Sequence, residues 1–141
     1  MLLDTASVRA LYSAPAGLDD CFTVAEMASV SSRVDPVPSL SARLAAKLSV
    51  LAILEAHAAE HVDARSHGGP VVEFGRPSPE RAALLASIEV LVSPAGVPQL
   101  ALDHIVHPSR PKGWVSLSHD AGLGAALVVL HHTARSDQAI A

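Results

Sequence analysis

The chain has 141 residues, half of them hydrophobic, and a formal net charge of −4 at pH 7 with only two lysines. That length suits a single domain with a buried core. The acidic balance argues against nucleic acid as a partner, and no apolar run approaches the roughly 20 residues that span a bilayer. The single cysteine excludes an internal disulfide and fits a reducing compartment. We therefore expect a cytoplasmic protein whose apolar excess, at a mean hydropathy of +0.35, lies in an oligomer interface.

The first predicted elements are a short strand and a short helix. Leu2 and Leu3 are apolar and lead into Asp4, which should end the strand. Residues 5–12 carry apolar side chains at helical spacing, so they predict a helix. Pro15 follows within a few residues and should break it.

A second helix and a stiff loop are predicted next. Thr23 followed by Glu26 is a capping-box pattern, which predicts a helix that continues to Ser31. The prolines of residues 35–38 restrict the backbone there and predict a loop. Ser39 is then expected to cap the long helix that follows.

The long helix is the dominant predicted element, and it should end before His67. Its apolar residues recur at helical spacing and should form one buried face. Glu55 lies on that same face, whereas Lys47 lies on a neighbouring stripe. The predicted buried face comprises Leu40, Leu44, Leu48, Leu51, Ala58 and Val62.

The second half of the chain predicts one more helix and two hairpins. Ser78 should cap the helix, with Pro79 at its first position. A Pro-Ala-Gly turn and an Asp-Ala-Gly turn each separate two strand-like segments. The predicted ranges are 76–85 for the helix, 88–93 and 97–102 for the first hairpin, 104–113 for a loop, and 115–118 and 123–130 for the second hairpin. The result is an α+β domain, with a mostly antiparallel sheet around a long central helix.

Four blocks in chain order carry a resemblance to a known family. They are FTVAEM, RVDPVPSLSARLAAK, IEVLVSPAGVPQLAL, and VSLSHD followed by LGAALVVL. Together they resemble the holo-acyl-carrier-protein synthases, the small 4'-phosphopantetheinyl transferases. The resemblance implies that family's α+β fold over residues 1–132, with residues 133–141 as a flexible tail. It also implies a homotrimer with active sites between subunits, and transfer of phosphopantetheine from coenzyme A to a carrier-protein serine with magnesium.

The resemblance also assigns the catalytic positions, and two of them have changed here. Asp4 stands at the position of a metal-binding aspartate, and Lys47 matches the first lysine of the long helix. Leu48 stands where the second metal-binding carboxylate belongs, and Ala52 where the second lysine belongs. A pyrophosphate needs metal and cations for neutralisation. Glu55 lies about 10 Å along the axis from position 48, too far to replace that ligand.

Other side chains are candidates for the same region. A histidine such as His119 can serve as a general base or a phosphate contact, or it can be a turn residue that bonds only to backbone. Ser116 and Ser118 alternate with Leu117 and should share one sheet face, where they either donate to a ligand or face solvent. Arg43, like Lys47, could bind phosphate, although a solvated helix edge is the commoner environment for such residues. The candidate substrate-binding set is Arg43, Leu48, Leu51, Ala52, Glu55, Ser116 and Ser118.

These observations favour a repurposed relative of the family. We expect it to have lost magnesium-dependent transfer and to bind or transform an apolar or carrier-tethered intermediate, as in polyketide or fatty-acid-like biosynthesis, with Asp4, His119 and Lys47 as catalytic candidates. That interpretation needs no cofactor and no membrane, and its partner is an acyl carrier protein or a small apolar intermediate. One alternative is an active transferase, with coenzyme A and Mg²⁺ weakly held by Asp4. Another is a non-catalytic interaction subunit.

Overall fold

A computed structural model describes residues 1–14, 17–58, 71–105 and 111–131. The predicted tail, residues 133–141, and the predicted end of the long helix before His67 lie outside the described residues. The described elements confirm the predicted α+β class, with antiparallel sheets and one long helix.

The first strand and helix follow the prediction. β1 spans Leu2–Asp4 and α1 spans Thr5–Tyr12. Asp4 caps α1, because its carboxylate accepts a hydrogen bond from the Ser7 N–H at 3.2 Å. A three-residue 3-10 helix, Asp19–Cys21, then leads to the second α-helix.

The capping box is present as predicted. α2 spans Val24–Val30, and Thr23 Oγ1 accepts from the Glu26 N–H at 3.1 Å. In return, Glu26 Oε1 accepts from the Thr23 N–H at 2.9 Å. Two N–H groups that the helix leaves unpaired are thus satisfied by side chains.

The long helix starts earlier than predicted. α3 spans Val37–Ala58, so Ser39 lies inside its first turn and is not its cap. Asp35 takes that role, since its carboxylate accepts from the Val37 N–H at 3.2 Å. Proline is tolerated in the first turn because the N–H it lacks would have no partner there, and Pro38 therefore does not delay the helix.

The expectation that no segment reaches membrane-spanning length is wrong for α3. Val37–Ala56 is long and apolar enough by length and composition, at a mean hydropathy of 1.5. However, 72% of that window is buried inside the protein. Its apolarity is therefore accounted for by packing in the core of this domain.

The last helix is shorter than its predicted range. α4 spans Pro79–Ala86, with Ser78 Oγ accepting from the Arg81 N–H at 3.2 Å. The predicted cap and the predicted first-turn proline are both confirmed. The range began three residues early because Ser78 has extended backbone angles, which exclude the residues before it from the helix.

The strands form two sheets instead of the single predicted one. β2 (Glu89–Val92) and β3 (Pro98–Ala101) pair as a two-stranded sheet. β4 (Lys112–Asp120) and β5 (Leu123–His131) pair along nine residues, and β1 pairs with the other edge of β5. The loop predicted over 104–113 gives its last two residues to β4.

α3 packs closely on the three-stranded sheet. A Cβ atom placed on Gly124 of β5 would lie 2.6 Å from the Ser41 carbonyl carbon, so only glycine fits at that point. Leu40 and Leu44 are fully buried and Leu51 is 6% exposed, as the predicted apolar face requires. Leu48 is only half-buried. The core therefore lies between α3 and the two sheets, and the Leu48 turn lies at its margin.

Candidate functional site

Asp4 lies at the junction of β1 and α1, on a surface cavity of about 510 Å³. Its neighbours around that cavity include Arg9 of α1, Ser13 directly after α1 and Gly122 of the β4–β5 turn. Arg9 is already paired, since its guanidinium donates to the Asp35 carboxylate at 2.7 Å. This side of α1 was not among the predicted site positions, although the four-residue spacing of Arg9 and Ser13 places them on one side of the helix.

Leu48 and Ala52 are the two residues that differ from the pattern of the family resemblance, and both are apolar. Leu48 packs partly against the core and Ala52 is exposed. Neither residue lines the cavity at Asp4. Within the described residues, no group of three His, Cys, Asp or Glu side chains is placed to hold a metal ion.

Lys47 is not on a solvated helix edge, which corrects one of the two environments considered for it. Its side chain is fully buried, and its ammonium donates to Glu26 Oε1 at 2.6 Å. Burial lowers the pKa of Lys47, and the nearby Glu26 carboxylate opposes that shift. The sequence analysis named Glu26 as part of a cap but missed it as the partner of Lys47.

Arg43 is also buried, at 1% exposure, and not solvated as the commoner reading had it. Its Nη1 donates to Ser29 Oγ at 2.7 Å and to the Val90 carbonyl at 3.2 Å. Its Nε has no hydrogen-bond partner among the described residues. Burial lowers the pKa of Arg43, and Glu26 opposes that effect. Arg43 and Lys47 therefore share one side of α3, directed into the protein.

Asp4 and His119 lie at the same end of the three-stranded sheet. Asp4 pairs with Leu123 of β5, and His119 pairs with the next residue, Gly124. The two candidates are on the strands that flank β5, so their backbones are roughly 10 Å apart. His119 is exposed and Asp4 is half-buried. Leu123 and Gly124 are consecutive on β5, and side chains alternate between faces along a strand, so the register directs Asp4 and His119 to opposite faces of the sheet.

Ser116 and Ser118 share one sheet face, as predicted. They pair with Leu127 and Ala125 of β5, and both serines are exposed. Leu127 is 68% exposed on the same face. Because paired residues on antiparallel strands point to the same side, the serines lie within an open, largely apolar surface.

Glu55 forms an ion pair with a residue of α4. Its carboxylate accepts from the Arg81 guanidinium at 2.6 Å, and both side chains are substantially exposed. This places Glu55 beside α4. Leu51, another predicted substrate contact, belongs to the buried core.

Comparison with known proteins agrees with this architecture. No protein-family model and no curated protein matches the sequence. A Chronobacterium ammoniagenes acyl carrier protein synthase in complex with coenzyme A is 22% identical with a TM-score of 0.68, and the match covers 95% of each chain. The apo form from that organism has a TM-score of 0.65 and 22% identity, over 95% of this chain and 94% of the other. The Mycobacterium tuberculosis acyl carrier protein synthase has a TM-score of 0.56 and 21% identity, over 94% of each chain.

These similarities extend over nearly the whole of every chain compared. The resemblance inferred from four sequence blocks is thereby confirmed for the fold. The chain has the fold of the acyl carrier protein synthases.

Proposed function

We propose that this chain is an acyl-carrier-protein-synthase-like protein that has lost magnesium-dependent phosphopantetheine transfer. In its place, the protein binds or transforms an apolar or carrier-tethered intermediate of a polyketide-like or fatty-acid-like biosynthesis. The observation that carries the proposal is Leu48, a half-buried apolar side chain at the position that the family resemblance gives to a carboxylate. Ala52, exposed one turn later, offers no cation for a phosphate.

The donor set around Asp4 supplies only one of the two carboxylates that the family resemblance gives to its magnesium ion. Mg²⁺ binds through oxygen ligands in octahedral geometry, usually with one or two protein carboxylates. Asp4 supplies a single half-buried carboxylate, and one of its oxygens already accepts from the Ser7 N–H. Leu48 supplies no ligand atom, so we assign no reaction step to a metal.

Acid–base chemistry by Asp4 and His119 is the reaction that we propose instead. The two residues flank β5 at one end of the sheet, and the Asp4 side opens into the 510 Å³ cavity. A carboxylate can remove a proton while a histidine donates one, as cyclisation, dehydration or isomerisation requires. Because the register directs the two side chains to opposite faces of the sheet, a shared substrate would have to extend around the end of β5.

We further propose a homotrimer and a carrier-protein partner, as in the family that the fold resembles. Support for self-association comes from the outer face of the three-stranded sheet, which presents large apolar side chains. Trp114 is 63% exposed, Leu127 68% and Val129 54%. Exposed apolar patches of this kind mark association surfaces. Light scattering should give a trimer for the wild type and a smaller species for Leu127→Glu, with exposed Val24→Glu as the matched control.

Transfer itself is tested by incubating the protein with coenzyme A, Mg²⁺ and apo carrier proteins and measuring the mass of the carrier. We expect no phosphopantetheine adduct. The variant Leu48→Glu with Ala52→Lys should then restore some transfer if the scaffold still places both positions correctly. Leu48→Gln with Ala52→Lys is the matched control, because it adds a side chain of equal size without a carboxylate. Modification by the wild type at ordinary enzyme rates would refute the proposal.

An active transferase is the second candidate function. One observation favours it: the match to the coenzyme A complex covers 95% of both chains, so the fold similarity extends over nearly the whole of each. Under this reading, Asp4 and the substrate phosphates would hold the ion together. The same mass measurement separates the two candidates, since only this one predicts an adduct with the wild-type protein.

A further inference from the structure

Two opposite charges are buried side by side in the core. Glu26 of α2 and Lys47 of α3 are each 0% exposed, with the Lys47 Nζ 2.6 Å from Glu26 Oε1. Burying a charge costs several kcal/mol unless partners replace its water. The hydrogen bonds around this pair therefore determine whether either side chain can also bind a ligand.

Every donor of Lys47 is occupied. An ammonium group has three N–H donors and no acceptor. Besides Glu26, the Lys47 ammonium donates to the Cys21 carbonyl at 3.0 Å and to the Leu85 carbonyl at 3.0 Å. The ring of Phe22 lies 4.9 Å from the ammonium nitrogen. No N–H of Lys47 is left for a phosphate oxygen.

Both carboxylate oxygens of Glu26 also accept hydrogen bonds. Its Oε1 accepts from the Thr23 N–H as well as from Lys47, and its Oε2 accepts from the Val90 N–H at 3.1 Å. The pair thus joins the 3-10 helix, α2, α3, the C-terminal end of α4 and the start of β2. We call this set of contacts the Glu26–Lys47 junction: the two side chains with the backbone groups of Cys21, Thr23, Leu85 and Val90.

We propose that Lys47 is a structural cation that holds α2, α4 and β2 against α3, and not a ligand for phosphate or substrate. To reach a ligand, Lys47 would have to leave Glu26 as a buried, unpaired carboxylate and leave two buried carbonyls without donors. This role holds whether or not the chain transfers phosphopantetheine. The catalytic assignment of Lys47, which rested on the family resemblance, is replaced by a structural one.

Amine acetylation of the folded wild-type protein tests the proposal directly. The chain has two lysines, and Lys112 is exposed, so it serves as an internal control. Because burial lowers the pKa of Lys47, this amine would react faster than Lys112 if reagent could reach it. We expect Lys47 to be acetylated at least about tenfold more slowly than Lys112, and the difference to vanish in denaturant. Comparable rates in the folded protein would overturn the proposal.

A thermal double-mutant cycle tests whether the two charges act as a pair. Lys47→Met alone should lower the Tm by more than about 10 °C, because it leaves a buried carboxylate unpaired. Glu26→Gln keeps an oxygen for one of the two backbone N–H groups and removes the unpaired charge, so Glu26→Gln with Lys47→Met should lose less than the sum of the single variants. A loss under about 5 °C for Lys47→Met, or strict additivity, would overturn the proposal. If Lys47→Met does not fold, the acetylation rates of the wild type still decide.

Discussion

The two sides of α3 differ in a way that reverses the usual distribution of charge. On one side, Arg43 and Lys47 are buried and bonded to α2, α4 and β2. On the other, Leu48 is half-buried and Ala52 is exposed. Charged residues are ordinarily the exposed ones, and apolar residues the buried ones. The comparison teaches that the two cations of this helix, Arg43 and Lys47, serve the core, while the turn expected to carry chemistry presents apolar surface.

The physical reason lies in the backbone groups that meet beside α3. The carbonyls of Cys21 and Leu85 and the N–H of Val90 converge on the Lys47 side, where water does not reach them. Buried backbone groups need partners. An ammonium and a carboxylate supply donors and acceptors together, which an apolar side chain at position 47 could not do.

The largest expected effect comes from removing one charge of the buried Glu26–Lys47 pair. Glu26→Ala removes the partner of Lys47 and an acceptor of two N–H groups, and should cost about 3–5 kcal/mol of unfolding free energy. Glu55→Ala is the matched control, because Glu55 pairs with Arg81 at the exposed surface. That change should cost well under 1 kcal/mol. Urea unfolding of both variants measures the difference, and similar losses would contradict the comparison.

The next largest expected effect concerns the opposite side of α3, where it packs against β5. Gly124→Ala forces a Cβ to within 2.8 Å of the Ser41 and Ala42 backbone, so α3 must shift from β5. We expect a loss of about 2–3 kcal/mol in urea unfolding. Gly75→Ala is the control, since a Cβ there meets nothing within 4 Å. Equal stability of the two variants would show that α3 and β5 are not in such close contact.

A smaller effect is expected at the apolar turn itself. Leu48→Gln replaces a half-buried apolar contact with a polar side chain that can reach solvent, so it should cost about 1 kcal/mol or less. Lys47→Gln, one residue away, should cost several times more because it leaves Glu26 unpaired. Thermal unfolding of the two neighbouring variants compares the sides of α3 directly. A larger loss for Leu48→Gln would invert our assignment of core and surface.

The smallest effect is expected from removing a surface ion pair at the start of α3. The Arg9 guanidinium hydrogen-bonds the Asp35 carboxylate and lowers its pKa below the ordinary 3.8. A lowered pKa adds stability that is complete above pH 3.8 and is lost as the pH falls through the folded-state value. Asp35→Asn keeps an oxygen for the Val37 N–H, so it should be slightly less stable than wild type at pH 7 and match it at the acid end. Melting curves across that range check the trend, and a gap that persists in acid would contradict it.

Local elements were predictable because their determinants lie within a few residues of each other. The Thr23–Glu26 capping box and the Ser78–Pro79 start each appear in the structure as predicted. The second hairpin also formed where its Asp-Ala-Gly turn predicted, with Ala121 and Gly122 at positive φ. The start of α3 was misplaced because both Asp35 and Ser39 can cap a helix, and only the structure shows which one binds an N–H.

Contacts between distant residues were not predictable in this way. β3 and β4 contact each other but are not paired by backbone hydrogen bonds, so the strands form two sheets. A Cβ atom placed on Gly113 of β4 would lie 2.6 Å from Leu100 Cδ2 of β3. The predicted site was also changed by contacts between distant residues. From the sequence, Lys47 was grouped with Asp4 and His119. The structure instead pairs Lys47 with a carboxylate 21 residues away.

The sequence by itself determined the α+β class, the order of the elements, the family resemblance and the presence of leucine and alanine at positions 48 and 52. Those properties depend on residue identity and on spacing along the chain. Only the tertiary structure decided that Lys47 and Arg43 point into the core, because helical periodicity places them on a stripe without saying what packs against it. The free energy of a buried charge depends on partners that fold in from elsewhere. For Lys47, those partners are Glu26 and the carbonyls of Cys21 and Leu85.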